Sequence, residues 1–109
     1  MKKEIVISLK GIKTKEELFQ KLYQRDISLQ KIEGHESNSG NNWDALSDDL
    51  KALDYPEDIK EVNVVFTDWL GFERNLPEES STLLSILAWN TDPAQRVDGI
   101  NFTFQVRLG

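Results

Sequence analysis

Ile100–Leu108, INFTFQVRL, decides the fold. Ile100, Phe102, Phe104, Val106 and Leu108 alternate with Asn101, Thr103, Gln105 and Arg107. A period of two belongs to a strand with one face on a core and the other in water. Upstream, Val62, Val64, Val65 and Phe66 form a short apolar run, as expected of a strand buried on both faces, and it should be the central one. Glu4–Leu9 is rich in β-branched and aliphatic residues and ends near Gly11, which predicts a first strand.

Helical patterns lie between these strands. Thr14 caps the first, with Glu17 three residues on to return the bond, and Leu18, Phe19, Leu22 and Tyr23 supply an apolar stripe to about Arg25. Asn42 is placed to cap the second, whose Trp43, Leu46, Leu50 and Leu53 recur at spacings of three, four and three. Tyr55-Pro56 stops it, because the residue before proline is pushed out of the helical region. Pro77 opens a third helix, with Glu78 and Glu79 in the first turn and Leu83, Leu84 and Leu87 as its stripe. Glu33–Asn42, Asp68–Phe72 and Thr91–Gly99 read as loop, turn and loop. The prediction is an α/β fold of two layers: a three-stranded parallel sheet with three or four helices, which leave one side of the last strand open.

The 109 residues suit one domain, 1–109, with no room for a second core of ordinary size. With 39% hydrophobic and 29% charged residues, the chain has enough to bury to fold. It has no cysteine, so a disulfide framework and a thiolate metal site are both excluded. Lys2 and Lys3 precede an apolar run, but the run is short and Glu4 interrupts the basic stretch, so a strand is expected rather than a signal peptide. No apolar stretch approaches the roughly 20 residues that span a bilayer, no membrane partner is implied, and a cytoplasmic location is expected.

Charge is unevenly distributed. Residues 1–32 carry a net +4 and residues 33–109 a net −10, within a total of −6. Residues 33–61 alone hold nine acids against Lys51 and Lys60. Such a stretch repels phosphate and attracts cations, the reverse of a direct nucleic-acid binder.

On a helix, Asp44 and Asp48 stand four positions apart on one face, away from Trp43, Leu46 and Leu50. Like charges so spaced cost roughly 0.2–0.5 kcal/mol, partly offset for Asp44 by its place in the first turn. Two readings follow: a simply solvated acidic face, or carboxylates held for arginines that otherwise bind phosphate, since both anions offer a guanidinium the same bidentate geometry.

The run Gly40, Asn42, Asp44, Ala45, Leu46, Asp48 and Leu50 resembles the central pattern of the barstar family of ribonuclease inhibitors, G-x-N-hydrophobic-D-A-L-x-D-x-L. The match is tight over these 11 positions and looser beyond, and the order of strands and helices agrees along the whole chain. The resemblance implies that the acidic helix and the loop before it plug the basic active site of a ribonuclease. Asp44 and Asp48 would pair with its catalytic and phosphate-binding cations, Asp48 mattering most, and Gly40, Asn41 and Asn42 would shape the loop contact. The chain would be monomeric before forming a 1:1 complex.

The chain departs from the archetype in three places. Asn38-Ser39 replaces a pair of tyrosines, Ser47 stands where tryptophan is common between the aspartates, and Trp89 stands where a further contacting glutamate lies. Asn38, Ser39, Ser47 and the loop residue His35 therefore join the candidate contacts, and the expected target is either a secreted barnase-like enzyme or the toxic domain of an antibacterial effector. An acidic module regulating a non-nuclease partner is the alternative from another class.

Little favours an enzyme or a cofactor. Asp48 and Asp49 point about 100° apart on a helix, which does not build a metal or acid–base pair with Asp44. There is no phosphate-cradling glycine loop, activated nucleophile or histidine dyad. Trp43, Trp69 and Trp89 are expected in core or rim packing, and Arg74, Arg96 and Arg107 are too scattered to assign a site.

Overall fold

The alternation near the C-terminus does form a strand. The computed structural model describes residues 2–24, 43–51, 58–96 and 99–109, without the side chains of Tyr23, Gln24, Ala45, Asp48, Asp49 and Lys51. In it β1 (Lys2–Ser8), β2 (Glu61–Thr67) and β3 (Asn101–Val106) make one parallel sheet in the order β1-β2-β3, with β2 central. The described helices are α1 (Lys15–Gln24), α2 (Trp43–Lys51), α3 (Trp69–Asn75) and α4 (Pro77–Thr91), followed by a 3-10 turn at Pro93–Gln95.

Register explains the two faces. Ile5 pairs with Val64 and Val64 with Phe104, while Ile7 pairs with Phe66 and Phe66 with Val106. These rows meet Leu18, Phe19 and Leu22 of α1, Leu46 and Leu50 of α2, Trp69 and Phe72 of α3, and Leu83 and Leu87 of α4 in one apolar cluster. Each such side chain contributes about 1.5–3 kcal/mol by leaving water. The alternate rows face away from the helices. There Asn63 of the central strand donates to Glu4 Oε2 at 3.5 Å and accepts from Thr103 Oγ1 at 2.9 Å, so one polar row ties all three strands. Val65 on this side is buried by its place in the centre, while Val6 on β1 and the polar residues of β3 are exposed.

The cap at Thr14 forms with a small change from expectation. Glu17 N–H donates to Thr14 Oγ1 at 3.1 Å, and Glu17 Oε1 accepts from the Lys13 amide at 3.0 Å, one residue ahead of the cap itself. The arrival of α1 near Arg25, Leu53 as a member of the second stripe, and the stop at Tyr55-Pro56 lie outside the described residues.

Asp68–Phe72 is not a turn. It opens α3, a helix of seven residues whose length is too short to display a stripe; its apolar signal is only Trp69 and Phe72, both buried. The corner is made by Asp68, a non-glycine residue with φ 58°. Ser8 Oγ and Thr67 Oγ1 donate to its carboxylate at 2.9 and 3.3 Å, and these bonds hold a conformation that costs most residues about 1 kcal/mol or more. Thr91 likewise belongs to α4 rather than to a loop, and Asp92 Oδ1 accepts from the Ala94 amide to start the 3-10 turn.

Candidate partner-binding site

Helix α2 is positioned along its whole length. At its start the Trp43 ring meets Phe19 of α1 edge-on, with centroids 4.8 Å apart and planes at 60°. Lys15 Nζ lies 5.7 Å from the Trp43 centroid and 5.9 Å from that of Phe19, a cation over two rings. In the middle, Leu46 and Leu50 are fully buried. Asp44, in the first turn, is exposed. The buried leucines and the exposed aspartate thus occupy different sides of the helix, as its spacing predicts.

Asp48 is in the same helix four residues after Asp44; its side chain lies outside the described atoms. Gly40, Asn41, Asn42, Asn38, Ser39 and His35 all lie outside the described residues. Ser47 is half-buried, and its hydroxyl accepts from Asn90 Nδ2 of α4 at 3.3 Å. That hydrogen bond places Ser47 on the flank of α2 that meets α4.

Sequence reasoning missed two residues here. Arg96 Nη1 donates to the carbonyls of Leu50 in α2 and Asn90 in α4, both at 2.9 Å, while its guanidinium lies 5.2 Å from the Phe102 centroid of β3. Asn90, fully buried, also donates to the Ile86 carbonyl at 2.9 Å. No periodicity marks an arginine in a loop as a helix tie. Only the spacing of Asn90, three residues after Leu87 and seven after Leu83 on the apolar side of α4, carried a signal in the sequence. Trp89, next to Asn90, is 56% exposed and so lies outside the core, unlike Trp69, which is buried.

The barstar family, described as barnase inhibitor, matches residues 2–108. The chain belongs to the barstar family. No curated protein and no solved structure matches it. The family is named for inhibition of an enzyme rather than for catalysis. Among the described residues, no three His, Cys, Asp or Glu side chains gather into a metal-holding group. None of the described helices is long and apolar enough to cross a membrane.

Proposed function

We propose that this chain is a stoichiometric inhibitor, an immunity protein, of a bacterial ribonuclease, acting in the cytoplasm as a monomer that forms a 1:1 complex. The observation that carries the reading is the exposed carboxylate of Asp44 on a helix anchored by Leu46 and Leu50, in a chain of the barnase-inhibitor family. Asp44 and Asp48 stand in for substrate phosphates and pair with the cations of the enzyme's active site, Asp48 making the stronger contact. Gly40, Asn41 and Asn42, with Asn38, Ser39 and His35, form the loop side of the contact, and Ser47, between the two aspartates in sequence, adjoins it from the flank that meets α4. The acidic stretch steers encounter with the basic cleft, so association slows as salt rises.

The test is inhibition of a barnase-type ribonuclease by the parent chain, Asp48→Ala and Glu73→Ala, with growth rescue on co-expression as a second readout. Removing one partner of a buried ion pair costs about 3–5 kcal/mol, so Asp48→Ala should raise Kd by a hundredfold or more. Glu73→Ala, on exposed α3 surface, should change it little. Equal affinities for the two variants, with both folded, would refute the assignment.

A further inference from the structure

We propose that Arg96 and Asn90 are positioning residues for α2: together they clamp the acidic helix onto α4 and β3 and so fix where its carboxylates stand. The proposal rests on the reading of α2 as the docking element, but the clamp is visible without it. Arg96 holds the Leu50 carbonyl, in the last turn of α2, and the Asn90 carbonyl through one nitrogen, at 2.9 Å each. Asn90 in turn reaches Ser47, three residues before Leu50, through its side-chain amide. Two successive levels of α2 are therefore tied to the same turn of α4. A guanidinium suits the tie because its charge strengthens both carbonyl hydrogen bonds, and its central carbon lies 5.2 Å from the Phe102 centroid.

A second observation marks Asn90 as more than packing. Among the described residues, its Oδ1 is a buried side-chain oxygen with no hydrogen-bond partner. Buried polar atoms are ordinarily satisfied, and a leucine of similar shape would remove the orphan. Leucine would also remove the amide that reaches Ser47. The side chain thus presents an oxygen unpaired among the described residues beside the nitrogen that reaches the proposed docking helix.

Amide hydrogen exchange of the free, full chain tests this, with Arg96→Met, Arg96→Lys and Asn90→Leu. In Arg96→Met the amides of residues 47–51 should exchange about tenfold faster or more, the loss expected for a hydrogen bond to a charged group, while those of β2 keep the parent's protection. Arg96→Lys, which keeps the charge, should recover part of the protection. Asn90→Leu should speed exchange in α2 while leaving the unfolding midpoint unchanged or raised. Unchanged α2 exchange, or acceleration that runs equally through β2, would overturn the clamp, the second by reducing Arg96 to a contributor to general stability. Against a barnase-type ribonuclease, Arg96→Met should dissociate faster than the parent with a similar association rate. Parental dissociation from a loosened α2 would overturn the positioning role. If the parent itself fails to inhibit, the proposed function fails, and the exchange data still decide the clamp.

Discussion

Helices α1 and α2 bury leucines in one core yet are secured by different means. The bonds that start α1 join residues three and four apart, Glu17 to Thr14 and to Lys13. Among the described residues, the side-chain bonds that reach α2 come from 43 and 46 residues away, Asn90 to Ser47 and Arg96 to Leu50. A local cap closes almost no loop and forms with the helix itself, whereas a distant tie forms only after the chain between has been ordered. The first helix therefore carries its own start signal. Among the described residues, the second is tied by the finished fold, as suits the docking element we propose.

The comparison breaks most readily where the two helices ought to agree. Leu46→Ala in α2 and Leu18→Ala in α1 each empty a fully buried site, and each should cost about 2–5 kcal/mol in urea unfolding. A cost below about 1 kcal/mol at Leu46 would mean that α2 does not share the core as α1 does. A smaller effect sharpens the difference in fastening: Thr14→Ala should cost about 1 kcal/mol and should add to Arg96→Met within roughly 0.5 kcal/mol, since the two sites share no partner. A larger coupling would show that the local cap and the distant tie are one device. The smallest effect lies where the helices touch. Lys15→Met keeps the stem over Phe19 and Trp43 but removes the charge, and should cost about 0.5 kcal/mol or less by thermal unfolding, because a cation in the first turn of α1 is disfavoured by its dipole.

Much of the architecture was legible because it depends on near neighbours. The period of two from Ile100 to Leu108, the apolar run at Val62–Phe66 and the Thr14–Glu17 cap each record an interaction within a few residues, and each appears in the structure. Helix α3 was not legible, because seven residues carry under two turns, and its corner depends on Asp68 being held by Ser8 from another strand. Within the site, the spacing of Asp44 against Leu46 and Leu50 was readable, and so was the resemblance that led to the family. The place of Trp89 was not: beside a helical stripe a tryptophan can sit in the core or at its rim, and this one is exposed.

What the sequence by itself determined is the set of periodicities, which follow from backbone geometry repeated every two or 3.6 residues, together with the Thr14 cap and the acidic pattern, which lie within a few residues of chain. Only the tertiary structure decided that Glu4, Asn63 and Thr103 form one row, and that Arg96 and Asn90 reach back to α2. Those contacts join residues some 40 to 60 apart, and no local rule of the chain states which carbonyl a distant guanidinium will find.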